Sequence, residues 1–186
     1  MSGSGNIIEL DHVDAGLANL TLTNGYANCQ PYYAAGVTIE EKGGTVSNCV
    51  IVGCTGTINQ DSVGGAYVKA GLLTHCVVTN NTYNGGRKDN PRIAGVALYG
   101  GEMRNSLVAD NGIGTTSAHE TQPSAGGVYV DAARLVNCTV ADNFSWNQYD
   151  CAGITVTANA TVENCHIVRN KNKVTNAVDD LRTAAK

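Results

Sequence analysis

The sequence predicts an all-β solenoid: one domain whose chain winds through about six rungs of three short strands and ends in a short capping helix. Three observations carry that prediction. A unit of apolar strand, second strand ending in Asn, Cys, third strand and polar turn recurs six times. Its Cys position falls at Leu20, Cys49, Cys76, Ser106, Cys138 and Cys165, spaced by 29, 27, 30, 32 and 27 residues, and a period of roughly 20–50 residues marks a repeat architecture. Within each unit the apolar residues alternate, as half-buried strands require. Glycine is abundant at 22 residues while aromatics make up 5% and charged residues 15%, the profile of a turn-rich all-β chain and not of a disordered one.

The first strand supplies two inward rows: Ile8, Val37, Ala66, Val96, Val128, Ile154, and Leu10, Ile39, Val68, Leu98, Val130, Val156. The second strand supplies Leu17, Val46, Leu73, Met103, Leu135 and Val162; the third supplies Leu22, Ile51, Val78, Val108, Val140 and Ile167. Every row is apolar in every copy, so the evidence for one fold agrees across levels. Between second and third strands stand Asn19, Asn48, His75, Asn105, Asn137 and Asn164. Asn tolerates left-handed backbone angles and its amide bonds its neighbours, so this row predicts a stacked amide ladder with buried amides, His75 being a substitute. A second polar row, Asn81, Asn111, Asn143 and Asn170, closes the third strand, with Gly25 and Cys54 in the first two copies. Gly36, Gly65, Gly95, Gly127 and Gly153 reopen each rung, where positive φ suits a sharp corner.

The predicted organisation is a linker-like opening over 1–6, the solenoid over 7–170 and a cap over 171–186. In the cap, Val174, Ala177, Val178, Leu181 and Ala185 recur at helical spacing. Such a cap shields open strand edges; the N-terminal end shows no equivalent, which makes residues 7–10 a candidate self-association edge. Four of the seven cysteines, Cys49, Cys76, Cys138 and Cys165, lie on an inward row and read as small buried hydrophobes. Stacking still brings Cys138 within bridging reach of Cys165, and Cys29 and Cys54 lie on neighbouring rungs. No CxxC and no zinc-type Cys/His spacing occurs, so the reading includes no metal and no cofactor. A net charge of −4 and a pI of about 5.4 leave no basic stripe for nucleic acid. No segment approaches the roughly 20 apolar residues of a membrane helix.

With the GGAYV of residues 64–68, the GGVYV of 126–130 and the Ala141-Asp-Asn-Phe-Ser145 segment in view, the chain resembles the right-handed single-stranded parallel β-helix (pectate-lyase-like) superfamily, and most closely its polymorphic outer-membrane-protein type repeats. The resemblance covers residues 7–170. It implies a secreted or cell-surface location in the parent protein, and a polysaccharide cleft formed by the loops and the outward face of the first-strand sheet. Lyase members hold Ca²⁺ with a cluster of acids beside an Arg or Lys base. Here that outward row reads Glu9, Thr38, Tyr67, Ala97, Tyr129 and Thr155, with a single acid, so Ca²⁺ finds no cluster of hard oxygen ligands.

The variable loops 26–35, 55–64, 82–94, 112–126 and 144–152 hold the only Trp, the only Phe and five of the eight Tyr. Repeat proteins concentrate binding on such an edge. Aromatic faces with amides and carboxylates suit sugar rings, which makes Tyr67, Tyr83, Arg87, Tyr129, Trp146, Tyr149 and Asp150 candidate ligand-binding residues. The alternative is that these aromatics pin the loops to the sheet. A weaker candidate for catalysis is His119, Glu120 and Asp150, which lacks the paired carboxyl spacing of a glycosidase. On the opposite side Val50, Val77 and Leu107 form a small apolar outward stripe, a candidate contact for another copy or for the parent protein. The sequence thus predicts a non-catalytic scaffold or adhesion module with a polysaccharide-binding edge; the alternatives are a polysaccharide lyase or glycoside hydrolase on that edge, and a module that stacks through its N-terminal end.

Overall fold

The computed structural model describes residues 6–28, 34–57, 62–85, 91–114 and 124–183. The chain is a parallel β-solenoid whose strands stack into four sheets. The first sheet has seven strands, running in order from Ile8–Leu10 to Leu181–Thr183; the other three have six each. Each rung pairs in register with the next: Val37 opposes Ala66, Leu73 opposes Met103 and Val108 opposes Val140. Parallel in-register stacking turns every alternating apolar position into a continuous row. All four inward rows predicted from the sequence line the axis and form one core cluster from Leu10 to Ile154, with Ile8, Leu17, Val162 and Ile167 half-buried at its ends.

Three features differ from the sequence expectation. Each rung carries four strands and not three. The fourth is a two-residue strand immediately after the polar corner: Tyr26–Ala27, Thr55–Gly56, Thr82–Tyr83, Gly112–Ile113, Phe144–Ser145 and Lys171–Asn172. Two residues are too short to show alternation, so the first five pairs read as the first residues of loops and Lys171–Asn172 as the start of the cap.

The C-terminal cap is also not a helix. Lys171–Asn172 completes the fourth sheet, Val178 bridges back to Lys171 in antiparallel fashion, and Leu181–Thr183 pairs with Ile154–Val156 as the seventh strand of the first sheet. No described residue is helical. Of the apolar residues at helical spacing, Val174, Ala177, Val178 and Leu181 are exposed, Val178 to 69%, and Ala185 lies outside the described residues. What decides the conformation is the backbone: the open edge at Gly153 and Ile154 has N–H groups to satisfy, and the carbonyls of Asp179 and Asp180 accept both at 2.9 Å.

The glycines at the rung openings act by lack of volume, not by positive φ. A Cβ at Gly65 would stand 2.5 Å from the carbonyl oxygen of Gly95, and one at Gly95 would stand 2.2 Å from that of Gly127. Left-handed angles occur at other corners, most of them held by polar residues. The row Asn19, Asn48, His75, Asn105, Asn137, Asn164 has φ between 50 and 60°, and Asn24, Asn80, Asp110, Asp142 and Arg169 repeat the angle one corner later.

Candidate functional site

The outward face of the first sheet is where the resemblance locates a cleft. It is covered by the chain itself. On its way into each first-sheet strand the chain passes through Ala34, Val63, Ile93, Ala125 and Cys151, each joined to the next by a parallel bridge. This column lies over the outward residues of the sheet, and Thr38, Tyr67, Ala97, Tyr129 and Thr155 are all buried. Ala34, Val63, Ile93 and Ala125 pack with Tyr67, Ala97 and Tyr129 as a second apolar cluster, and the partly buried Tyr99 joins it. Ring centroids lie 5.2 Å apart for Tyr67–Tyr99 and 5.3 Å for Tyr99–Tyr129, within the range of favourable tilted aromatic pairs. Hydrogen bonds fasten the column down: the Ala34 N–H donates to Thr38 Oγ1 at 3.0 Å, and Thr155 Oγ1 donates to the Ser124 carbonyl at 2.7 Å.

One residue before that column stand Ser62, Arg92, Ser124 and Asp150, on four successive rungs. The Arg92 N–H donates to Ser124 Oγ at 3.2 Å, and its guanidinium reaches past Ser124 to Asp150, with Nη2 2.5 Å from Oδ1. The two side chains are 1% and 0% exposed. Asp150 Oδ2 has no hydrogen-bond partner among the described residues. Burial pushes the Asp150 carboxyl up to about 6, against the opposing pull of Arg92, Ser124 and Arg182; desolvation penalises the charged form more than these partners favour it.

The sequence-predicted site residues therefore separate. Tyr67 and Tyr129 sit in the second apolar cluster. Tyr83 is buried with Ala94 and Ile113. Asp150 is enclosed with Arg92. None of these four offers a surface to a sugar ring. Arg87, His119 and Glu120 lie outside the described residues. Trp146, 46% exposed, and the partly exposed Tyr149 remain at the surface. Beside them the Phe144 ring lies over Gly112, where a Cβ would approach it to 2.1 Å, and Lys173 Nζ stands 5.7 Å above its centroid. Arg182 Nη1 donates to the Tyr149 carbonyl. Arg182 Nη2 also pairs with Asp179 Oδ2 at 3.2 Å, so on the rungs nearest the C-terminus the exposed Trp146 is flanked in sequence by the partly exposed Phe144 and Tyr149, with Lys173 beside the Phe144 ring.

The sequence reading missed Arg92, Tyr99, Lys173 and Arg182. A signal existed for Arg92: aligning the rungs on the glycines that open them sets Arg92 and Asp150 in one column. Lys173 and Arg182 fell in the segment read as helix, which dissociated them from the rung below.

On the other side of the coil, Val50, Val77 and Leu107 do stack in register. Val77 and Leu107 line a shallow depression of about 600 Å³ with His75, Asn105, Asn137 and Thr139. The outer Asn row borders it, exposed and unevenly linked: Asn48 Nδ2 donates to Asn19 Oδ1 at 2.5 Å, but Asn137 Nδ2 donates to Asn105 Oδ1 at 3.4 Å and His75 Nε2 lies 3.5 Å from Asn105 Nδ2. The buried ladder is instead the second polar row. Asn81 Nδ2 donates to Asn111 Oδ1 at 3.0 Å, Asn111 to Asn143 at 3.0 Å, Asn143 to Asn170 at 2.9 Å, and Asn170 to Asp180 Oδ1 at 2.8 Å.

Among the described residues no three of His, Cys, Asp and Glu converge on a position that could hold a metal. The row that would hold Ca²⁺ in a lyase carries one acid, Glu9, and is otherwise occupied by buried Thr, Tyr and Ala; it does not fit the ion. No described helix is long and apolar enough to cross a membrane.

Residues 6–182 match the family model described as the right handed beta helix region. No curated protein and no solved structure shows a match to the chain.

Proposed function

Because the chain belongs to the right-handed β-helix family, we propose that it is a non-catalytic extracellular or cell-surface module, a rigid scaffold or adhesion element whose Phe144, Trp146 and Tyr149 patch contacts glycan. The observation that carries this reading is the covered outward face of the first sheet among the described residues. The face that would form a cleft is packed with the protein's own tyrosines and bridged from rung to rung, so it contributes stiffness and not an opening. A rod whose outer sheet face is sealed by a second cluster resists bending between rungs, which is what a display element needs. The aromatic residues with Lys173 beside them suit an acidic sugar: ring faces stack on apolar sugar faces, and the ammonium meets a carboxylate.

The test is calorimetric titration with neutral and acidic oligosaccharides, run beside an assay of the same sugars for new reducing ends and unsaturated products. The expected result is binding of acidic sugars that Trp146→Ala abolishes with the melting temperature unchanged, and no product. Product formation lost in Glu120→Gln would overturn the reading in favour of a lyase or hydrolase.

A second reading, self-association through the N-terminal end, has its own support. Strands Ile8–Leu10, Gly16–Ala18 and Thr21–Thr23 stand at the edges of their sheets, and Ile7, Val13 and Leu20 are exposed beside them. Unpaired parallel edges with apolar residues template further pairing. Oligomers seen by light scattering and lost in Val13→Asp would establish it; a monomer at all concentrations would remove it.

A further inference from the structure

At the start of the third-sheet strands stand Leu20, Cys49, Cys76, Ser106, Cys138 and Cys165, a row that is buried in the coil from Cys49 to Cys138. Their register follows from their neighbours. Val50 pairs with Val77 and Thr139 with His166; the Val77 N–H donates to the Cys49 carbonyl at 2.9 Å, and the His166 N–H to the Cys138 carbonyl at 2.8 Å. Cysteine therefore stacks directly on cysteine twice, and Ser106 separates the two pairs. All four thiols point the same way, each 3.2 Å from the carbonyl oxygen two residues earlier: Ser47, Thr74, Val136 and Glu163. Adjacent strands about 4.8 Å apart bring the stacked Cα atoms within the roughly 4.4–6.8 Å that a disulfide spans.

The two pairs differ in access and in charge. Cys49 and Cys76 are each 1% exposed, and Cys138 is 2% exposed. Cys165 is only half-buried, because the second and third sheets end, among the described residues, at Thr161–Glu163 and His166–Val168. The strand Leu181–Thr183 extends the first sheet alone. In addition, the Cys138 N–H donates to Cys165 Sγ at 3.5 Å. The Cys138 thiol and this N–H hold the Cys165 thiol well below the usual range, while the Cys138 thiol is raised. In the buried pair, desolvation pushes the Cys76 thiol up to about 11. A thiolate is the reacting form of cysteine, so the half-buried Cys165 is the attacking sulfur and Cys138 beneath it the resolving one, whereas Cys49 and Cys76 are both closed to solvent.

We propose that Cys138 and Cys165 are a modification site: a reversible disulfide, formed on exposure to a hydroperoxide, that fastens the last complete described rung to the rung beneath it, with Cys165 oxidised first. The Cys165 thiolate attacks the peroxide; an S–O bond forms, the O–O bond breaks, and the departing hydroxide takes a proton to become water. The Cys138 sulfur then attacks Cys165 sulfur; the S–S bond forms, the S–O bond breaks, and the hydroxide released combines with the Cys138 proton as a second water. Two thiols and one hydrogen peroxide give one disulfide and two waters. In-register Cβ atoms stand about as far apart as the strands themselves, ~4.8 Å, beyond the roughly 3.5–4.5 Å preferred across a disulfide. Closure must draw the edge rung inward, and a strained bond of this kind is readily reduced.

The full chain treated with hydrogen peroxide, blocked with an alkylating agent and cleaved by trypsin and a glutamate-specific protease tests this. Cleavage after Arg134, Glu163 and Arg169 separates residues 135–163 from 164–169. The expected result is one linked species lighter by two hydrogens than the pair of peptides, assigned by fragmentation to Cys138 and not to Cys151. It should form ~10-fold faster than any Cys49–Cys76 link and disappear with a dithiol. In Cys138→Ser the sulfenic acid on Cys165 should persist and be trapped by a dione probe; if that variant misfolds, the wild-type mapping decides alone. A Cys49–Cys76 link at equal rate, a link from Cys165 to another cysteine, or direct passage of Cys165 to the sulfinic acid would overturn the proposal.

Discussion

The column Asn81, Asn111, Asn143, Asn170 lies inside the coil and the column Asn19, Asn48, Asn105, Asn137, Asn164 lies outside it, and the same side chain serves different physics in each. The inner amides are fully buried. Each accepts the N–H of the residue one rung below, as Asn111 Oδ1 does from Asn81 at 3.0 Å, and each donates to a carbonyl of the core, as Asn111 Nδ2 does to Val78 at 3.0 Å. Corners leave backbone groups that no neighbouring strand satisfies, and the inner amides take their place. The outer amides bond one another at best, and their common property is φ of 50–60°. The inner column is selected for hydrogen bonding and the outer column for backbone angle.

Substitution should separate the two columns clearly. Asn111→Ala removes bonds to Asn143, Val78 and Ala109, strands the Asn81 N–H, and leaves the Asn81 Nδ2 its bond to the Ile51 carbonyl alone. Each buried unmet group costs roughly 1–3 kcal/mol, so a loss on the order of 4 kcal/mol is expected in denaturant unfolding. A loss under about 1 kcal/mol would show that water or neighbouring carbonyls replace the amide, and that the inner column is not a hydrogen-bonding device.

The Arg92–Asp150 pair sharpens the same contrast, because it is a buried polar contact made with charge instead of neutral amides. Arg92→Ala leaves the Asp150 carboxylate enclosed without its nearest cation, at a cost of about 3 kcal/mol at neutral pH. Part of that cost should return as the pH falls and the carboxyl protonates. The wild type carries a related signature. The folded pKa of Asp150 is raised to about 6 from 3.8, so between those values the folded state holds a proton that the unfolded state has released. The contribution of Asp150 to stability is therefore full below about pH 4 and declines as the pH rises through about 6. Asp142, held below its usual range by Arg169, has the opposite sign. The difference in unfolding free energy between the wild type and Asp150→Asn isolates the Asp150 slope; a difference that is flat from pH 4 to pH 7 would refute it.

What was legible in the sequence follows the same division. Rows of large apolar residues at fixed period could be read directly, because burial selects for one property at every rung. Ala66, Met103 and Val162 satisfy it as well as Leu and Ile do. The polar rows were located correctly, but the buried ladder was assigned to the outer row, since Asn at a corner is chosen for two reasons and a sequence shows only the choice. The candidate site was less legible still. Tyr67 and Tyr129 alternate outward, as read, yet outward from the core is not outward to solvent once Val63, Ile93 and Ala125 fold back over them. No periodicity within a strand encodes that return. The tail failed because its apolar spacing fits a helix, while the unpaired N–H groups at Gly153 and Ile154, a property of the neighbouring rung, determine its conformation.

The smallest effect gives the most selective test of the outer column. If Asn105 is retained for its left-handed angle alone, Asn105→Ala should cost about 1 kcal/mol, the penalty for a Cβ without a local polar compensation at positive φ. Asn105→Gly should cost less than about 0.5 kcal/mol, since Gly adopts that angle freely and loses only by its greater freedom when unfolded. Equal losses in the two variants would mean that the amide matters, through Asn137 and His75, and that the outer column is a weak ladder after all. The ratio of the two effects, and not the size of either, decides between angle and hydrogen bond, because both variants delete the same amide and only one restores the backbone freedom.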